Sequence, residues 1–246
     1  MQRSHVSLKL PDLARDGALG CIRRAPLFRG LSFQQHGELA SIARQCDYGR
    51  RKTIFRENDP IRSVFVIASG RVKTTQLSRG GKEVLLRVDK RGEVLDGFGL
   101  FPGETHSVTA QTIEPCRVFS WEVQAFDAFA ERVPMLHRNA VGILSARLRM
   151  LQERFRDMAT KRVPQRLARL LLDLFNQSTE NTSSTAIDLS CEELAQMTGT
   201  TLFTVSRLLC DWAEQGIIQP ERKMVVVESL PALLQVAEET AEMETA

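Results

Sequence analysis

The sequence has few aromatic residues, an odd number of cysteines and no long hydrophobic run. Only one Tyr and two Trp occur in 246 residues, and none of the five cysteines forms a C-x-x-C pair. We therefore expect reduced thiols in a cytoplasmic protein rather than a disulfide scaffold. No run of about 18 consecutive apolar residues occurs, so the sequence predicts no transmembrane helix. The charged segment up to Gly20 lacks the apolar core of a secretory signal.

Motifs that carry catalysis or bind metals are also missing from the sequence. It contains no G-x-S-x-G, P-loop or G-x-G-x-x-G pattern, and its four histidines are scattered. The spacing of histidine and cysteine offers no zinc site. We therefore predict that the chain is not an enzyme and holds no metal in a motif of this kind. The apolar fraction of 43% and the charged fraction of 26% instead describe an ordinary globular chain.

The segment from about residue 52 to residue 121 has the pattern of short β-strands. Alternating or β-branched apolar runs are separated by turns that contain glycine, such as the one at Gly80 and Gly81. Short strands at this spacing favour an antiparallel β-roll or jelly roll. The predicted strands cover residues 63–68, 71–77, 83–88, 107–113 and 117–121.

Residues 134–160 are predicted to form one long helix. Its apolar residues recur at alternating spacings of four and three after His137, as in a coiled coil of two helices. Flanking residues such as Arg147 and Arg149 are predicted to be solvated. The alternative is a long helix packed on its own domain. The predicted dimer seam contains Val141, Leu144, Leu148, Leu151, Phe155 and Met158.

The segment 190–214 has the pattern of a helix-turn-helix. Ser190 and Glu193 form a capping box at the start of the first helix. Gly199 supplies the left-handed backbone of the turn. The alternative is an ordinary helical hairpin. Ala195 is predicted to be small because the second helix crosses close above it. The residues predicted to form the small core that fixes the angle between the two helices are Leu194, Val205 and Leu208.

The second helix of this motif is predicted to enter a DNA major groove. Arg207 is the natural base reader, because a guanidinium can bind a guanine edge through two hydrogen bonds. Phe203 is predicted either to contact a thymine methyl group or to be a core residue. The predicted DNA-binding residues of this helix and its turn are Thr200, Thr201, Leu202, Phe203, Ser206 and Arg207.

A small β-hairpin wing is predicted to follow, with strands at residues 217–218 and 224–227. Arg222 and Lys223 at its tip suit phosphate contacts, although solvated charge alone would also explain them. The predicted fold is therefore α+β. Its parts are an N-terminal extension (1–25), a sensor β-roll (26–133), the dimerisation helix (134–160), a winged helix-turn-helix (161–232) and an acidic tail (233–246).

A β-roll, a dimer helix and a winged helix-turn-helix, in this order, resemble the Crp–Fnr family of bacterial transcription regulators. The best local matches are Phe65-Val-Ile-Ala-Ser-Gly-Arg-Val, Gly99-Leu-Phe101, Arg166-Leu-Ala-Arg-Leu-Leu and the segment from Gly199 to Leu209. The resemblance implies a homodimer on an inverted repeat of double-stranded DNA. It also implies an effector in the β-roll and contact with RNA polymerase.

The effector pocket departs from the pattern of members that bind cyclic AMP. Their Gly-Glu and Arg-Ser pairs are matched here by Asp96-Gly97 and His106-Ser107, and the polar pair of the dimer helix by Leu151-Gln152. Asp96 would place negative charge beside a cyclic phosphate, which needs a cation and free N–H groups. We therefore predict poor binding of cyclic AMP.

Other effectors stay open at this stage. The N-terminal region has only Cys21, so an iron–sulfur cluster built there is not supported. Haem on His106 or His137, nitric oxide, thiol oxidation, a small metabolite or no effector are the remaining alternatives. A lone histidine is more often structural than a ligand, and Cys116 on a predicted strand is more often a core residue than a sensor.

The net charge of +3 conceals an uneven distribution. Residues 161–246 contain seven basic and thirteen acidic residues, so DNA contact there has to depend on few cations and on the doubled footprint of a dimer. The second hypothesis is a ligand-binding regulatory module whose C-terminal helices contact a protein partner instead of DNA.

Overall fold

The computed structural model describes residues 12–81, 83–96, 103–179, 186–187, 189–221 and 224–238. The chain divides into two units, Met1–Leu148 and Arg149–Ala246, and each is described by itself. The first unit contains helices α1 (Asp12–Arg24), α2 (Phe33–Ile42), α3 (Val123–Arg132) and the first half of α4 (Met135–Thr160), and strands β1 (Arg44–Tyr48), β2 (Thr53–Phe55), β3 (Ser63–Ser69), β4 (Val72–Leu77), β5 (Glu83–Asp89), β6 (Thr109–Thr112) and β7 (Cys116–Glu122).

The strands form two antiparallel sheets, in the orders β1-β7-β3 and β2-β6-β4-β5. In β3 the buried residues include Val64 and Val66, which alternate along the strand as a sheet with one covered face requires. At the tight turn after β3, Gly70 has φ of +84°, and a Cβ there would lie 2.5 Å from Sγ of Cys116. The predicted antiparallel β-rich architecture of the N-terminal domain is confirmed.

Helices that the sequence pattern did not assign complete the core of the first unit. Trp121 on β7 meets Phe28 edge to face at 5.3 Å, and its indole N–H donates to the carbonyl of Leu39 on α2 at 2.9 Å. Ile22 on α1 is fully buried. The predicted N-terminal extension, residues 1–25, therefore contributes a helix to this core.

The second unit contains the rest of α4 and a compact set of helices on a small sheet. The elements are α5 (Val163–Thr179), β8 (Ala186–Ile187), α6 (Cys191–Thr198), α7 (Leu202–Glu214), β9 (Ile218–Glu221), β10 (Met224–Val227) and α8 (Leu230–Glu238). Strand β10 is central and pairs antiparallel with β8 and β9. The predicted helix-turn-helix and wing are both present.

Helix α8 was not predicted, and it crosses the boundary that the sequence placed after residue 232. Leu233 is fully buried and Ala237 nearly so, because α8 packs on α5. Leu167 and Leu171 of α5 are also fully buried. The C-terminal segment up to Glu238 thus belongs to the core of this unit, and residues 239–246 lie outside the described residues.

Candidate DNA interface and sensor pocket

The first helix of the helix-turn-helix is fixed by its cap. The hydroxyl of Ser190 accepts a hydrogen bond from the backbone N–H of Glu193 at 3.3 Å. The N–H of Ser190 donates in return to the Glu193 carboxylate at 2.9 Å. This reciprocal arrangement satisfies two backbone donors that a helix start leaves free. Helix α6 therefore begins at Cys191, as the sequence predicts.

The turn between α6 and α7 depends on Gly199. Its φ of 66° and ψ of 38° lie in the left-handed region, where a side chain is disfavoured. The N–H of Thr200 donates to the carbonyl of Ala195 at 3.1 Å and closes the helix end. A Cβ on Gly199 would lie 2.8 Å from Cε of Met158. Both the backbone and the available space therefore favour glycine.

Helix α7 begins after Thr201, whose hydroxyl accepts from the N–H of Thr204 at 3.2 Å. The helix is held by a buried stripe of Val205, Leu209 and Trp212. Leu208, predicted to be in the core, is only half-buried. The spacing of 205, 209 and 212 explains the difference, because residues four and three apart share one helix face.

The opposite face of α7 is solvent-exposed and carries most of the predicted DNA-binding residues. Phe203 is 85% exposed, so the alternative that it is a core residue is wrong. Leu202 is 47% exposed, and Thr200 in the turn is half-buried. The side chains that share this exposed surface are Thr201, Leu202, Phe203, Ser206, Arg207 and Cys210.

The wing is a hairpin of β9 and β10. Glu221 pairs with Met224 across the hairpin. Arg222 and Lys223 lie outside the described residues, so their predicted role stays a prediction.

In the sensor roll, the structure brings Asp96 and Ser107 together. The N–H of Ser107 donates to Oδ2 of Asp96 at 2.9 Å, and its hydroxyl donates to Oδ1 at 3.0 Å. Nδ1 of His106 lies 3.6 Å from Oδ2, beyond hydrogen-bond distance. The buried His106 ring stacks on Phe55 with centroids 3.6 Å apart. Gly97, the fourth predicted residue of this turn, lies outside the described residues.

The charge of Asp96 decides what this pocket can bind. Burial alone would raise the pKa of its carboxyl, but the nearby His106 ring and the hydrogen bonds from Ser107 outweigh burial and lower the pKa. Asp96 is thus a carboxylate at neutral pH, and it already takes the two donors that Ser107 could offer a phosphate. The residues present do not fit a cyclic phosphate at this turn, since two anions would compete for one set of donors.

A buried charge network lies close to this turn. Asp89 is fully buried and accepts from Nε and Nη2 of Arg87 at 2.5 and 3.2 Å. Arg147 of α4 donates to the carbonyl of Val94. Burial, followed by the charge of Arg87, lowers the pKa of the Arg147 guanidinium. The prediction that Arg147 is a solvated flanking residue is therefore wrong, because its long side chain reaches back to the roll.

The predicted dimer seam is an exposed apolar surface on α4. Its six members are between 44% and 76% exposed, whereas Leu136 and Ala140 of the same helix are buried against the roll. Leu151 and Gln152, which were also predicted for the effector pocket, are both exposed and belong to the second unit. The seam residues are Val141, Leu144, Leu148, Leu151, Phe155 and Met158.

Cys21 and Cys116 of the first unit are poorly suited to redox chemistry. Burial raises the pKa of Cys21 to about 11. Burial, followed by the charge of Glu114, also raises the pKa of Cys116, whose S–H donates to the carbonyl of Arg71 at 3.2 Å. Because the thiolate is the reactive form, neither thiol is activated at neutral pH. Cys210 on α7 is exposed.

Membrane-spanning helices and metal-binding clusters are both missing from the described ranges. None of the helices there combines the length and the apolar character of a membrane span. His, Cys, Asp and Glu side chains in the same ranges form no group of three that could hold a metal ion. His106 is buried in its stack on Phe55, and His137 lies exposed near the start of α4.

Comparison with known families matches both units separately. A model of the cyclic nucleotide-binding domain matches residues 45–133, and a model of the Crp-like helix-turn-helix domain matches residues 165–236. The first range covers β1 to α3, and the second covers α5 to most of α8. The exposed surface of α7 therefore lies within the region that resembles a known DNA-binding domain.

Individual relatives give the same picture over most of the chain. The chain is 28% identical to a CRP-like cAMP-activated global transcriptional regulator of Mycobacterium tuberculosis, over 84% of this chain and 93% of that protein. It is 27% identical to the transcriptional activator protein anr of Pseudomonas aeruginosa, over 70% and 71%. The structure of FixK2 from Bradyrhizobium japonicum has the same fold, with a TM-score of 0.70, 22% identity, and coverage of 81% of this chain and 100% of that chain.

Proposed function

We propose that this chain, which belongs to the Crp–Fnr family of transcription regulators, binds an inverted-repeat DNA site as a homodimer and responds to an effector other than cyclic AMP. The observation that carries the proposal is the exposed surface of α7. It presents Arg207 to solvent within a capped helix-turn-helix. A helix held in this way is the element that enters a major groove.

Base reading is proposed for Arg207, and backbone contacts for the residues around it. The guanidinium can donate two parallel hydrogen bonds to O6 and N7 of a guanine. Thr201 and Ser206 are exposed beside it and can donate to phosphate oxygens. Thr200 in the turn and the wing residues Arg222 and Lys223 complete the proposed DNA interface.

Dimerisation is proposed through the exposed seam of α4. A helix that leaves six large apolar side chains in water along one face gains stability when a second copy covers them. Twofold symmetry of the dimer places two copies of α7 on two half-sites, which is why an inverted repeat is expected. RNA polymerase is proposed as a further partner on the strength of the family, and the cytoplasm as the location.

The carboxylate of Asp96 argues against cyclic AMP as the effector. The carboxylate is held by Ser107 at 2.9 and 3.0 Å, so a cyclic phosphate would have to displace a group that is already bonded and negatively charged. Haem, nitric oxide, a small metabolite and the absence of an effector are alternatives for the roll. Absorption spectroscopy and mass spectrometry of protein purified natively without air distinguish them.

The central test is a gel-shift titration of the full chain on a palindromic site selected from random DNA, at several salt concentrations. Wild-type protein is expected to bind with an affinity that falls as salt rises. Arg207→Ala is expected to lose discrimination worth about 1–3 kcal/mol per half-site. Arg79→Ala, which removes an exposed arginine from the turn after β4, is the matched control and should bind like wild type.

Two results would overturn the proposal. Unchanged discrimination in Arg207→Ala between the selected site and a guanine-substituted site would remove the assigned base reader. Micromolar affinity for cyclic AMP that alters DNA binding, measured by calorimetry and repeated gel shifts, would refute the exclusion of this effector.

A further inference from the structure

Phe203 is the most exposed large apolar side chain among the residues that the structure describes. Its exposed fraction is 85%, compared with 76% for Phe155 and 75% for Phe33. Phe33 lies under the guanidinium of Arg23, 5.1 Å from the ring centroid. Phe155 belongs to the seam that a second copy is proposed to cover. Phe203 therefore needs a different explanation.

The fold does not require an aromatic side chain at this position. Helix α7 is anchored by Val205, Leu209 and Trp212, and capped by Thr201. A ring that is exposed to this extent contributes little to the packing of the second unit. Because water is an unfavourable environment for so much apolar surface, a large exposed ring on a binding helix indicates contact with a partner.

The partner can be identified from what shares the face of α7 with Phe203. Arg207 is four residues further along the helix and Ser206 three residues, so all three project on one side. Both polar groups suit a major groove. The apolar feature that a major groove offers is the C5 methyl group of thymine.

We propose that Phe203 contacts a thymine methyl group and so selects thymine at one position of each half-site. The inference rests on the proposed function, since it assumes that α7 enters the groove. Four residues of helix span about 6 Å, and stacked base pairs are about 3.4 Å apart. The selected thymine therefore lies within about two base pairs of the base that Arg207 reads.

This assignment gives the position a chemistry different from that of an acidic side chain. Glutamate can accept a hydrogen bond from the amino group of cytosine, whereas a phenylalanine ring can only bury an apolar group. Leu202, 47% exposed and adjacent, extends the same apolar surface. The half-site of this protein is accordingly expected to have a thymine where a cytosine contact would otherwise be made.

The test replaces single thymines by deoxyuridine in the DNA site that the full chain selects from random sequence. This change removes one methyl group and leaves base pairing intact. Each half-site should contain one thymine whose replacement matters. Replacing it in one half-site should lower the affinity about fourfold, and replacing it in both half-sites about fifteenfold. Replacement at the other thymines should have no effect on the affinity.

Protein variants assign the effect to the ring. Phe203→Ala should bind the thymine and deoxyuridine sites equally well. Leu77→Ala, which truncates a 61% exposed side chain in the first unit, should keep the wild-type preference. Because Phe203 is exposed, its truncation should leave the thermal unfolding midpoint almost unchanged, and measuring that midpoint separates lost contact from lost folding.

The outcomes separate this inference from the proposed function. If wild-type protein selects no DNA sequence at all, the proposed function itself fails. If the protein selects a site but every deoxyuridine duplex binds as tightly as its thymine counterpart, Phe203 does not read a methyl group. Undiminished preference for thymine in Phe203→Ala would also overturn the inference.

Discussion

Replacing Gly199 by alanine tests the turn on which the orientation of α7 depends. Gly199 has φ of 66°, and an L-residue in the left-handed region costs about 1–2 kcal/mol. The new Cβ would also lie 2.8 Å from Cε of Met158. Moving the flexible end of this side chain off its preferred rotamer adds about 0.5–1.5 kcal/mol. We therefore expect the free energy of unfolding to fall by about 1.5–3.5 kcal/mol.

Gly216 offers a matched control within the same unit. Its φ of 67° is nearly identical, but a Cβ there meets nothing within 4 Å. Gly216→Ala should therefore show the backbone cost alone. Urea unfolding of both variants, at one protein concentration because a dimer's stability depends on it, gives the difference as the cost of the contact with Met158.

A double-mutant cycle completes the assay. In a Met158→Ala background the two glycine substitutions should become equally destabilising, since the contact that distinguishes them has been removed. Equal costs in the wild-type background would contradict the close approach of Met158 to Gly199. A Gly199→Ala variant as stable as wild type would contradict the left-handed turn itself.

Three further substitutions test other parts of the molecule. Phe155→Glu should be a monomer in sedimentation experiments and should bind DNA weakly in gel shifts. Met150→Glu, on the same helix outside the seam, should stay dimeric. A Phe155→Glu monomer that binds DNA tightly would contradict the proposed role of the seam. The lowered pKa of Asp96 implies that its charged form stabilises the fold above about pH 4, and that this stabilisation is lost as pH falls through the folded-state pKa. The unfolding free energy of Asp96→Asn should therefore decrease less than that of wild type between about pH 5 and pH 3. An unchanged slope would refute the assignment. Trp121→Phe leaves the Leu39 carbonyl without its indole donor and should cost about 1–3 kcal/mol in urea unfolding, and a cost near zero would mean that this hydrogen bond does not matter.

The helix-turn-helix could be predicted from the sequence because its determinants are local. The determinants interact with residues only a few positions away in the sequence. They are the cap at Ser190, the left-handed Gly199 and the buried residues of the two helices. The error at Leu208 is also local. A half-buried residue beside the fully buried Leu209 differs from it by one step of the helix, and apolar periodicity cannot separate the two when both residues are leucine.

The sensor pocket and the core of the first unit could be predicted only in part. The importance of Asp96 follows from its charge, but its bonds to Ser107 join residues eleven positions apart. The role of α1 in the core depends on tertiary packing of Ile22, which no spacing rule identifies. Arg147 shows the same limit, because a long cationic side chain beside an apolar seam resembles a solvated flank until its partner is known.

Helix α4 carries the seam on one face and Arg147, anchored at the Val94 carbonyl, on another. The same helix thus takes part both in the proposed association of two copies and in the interior of the roll. Thermodynamic reciprocity then applies: whatever factor a molecule in the roll imposes on association of the two copies, association imposes on the affinity for that molecule. Dilution of the protein should therefore change the affinity of the roll for such a molecule. A ligand of the roll that favours the dimer will be held less tightly at protein concentrations where the dimer separates.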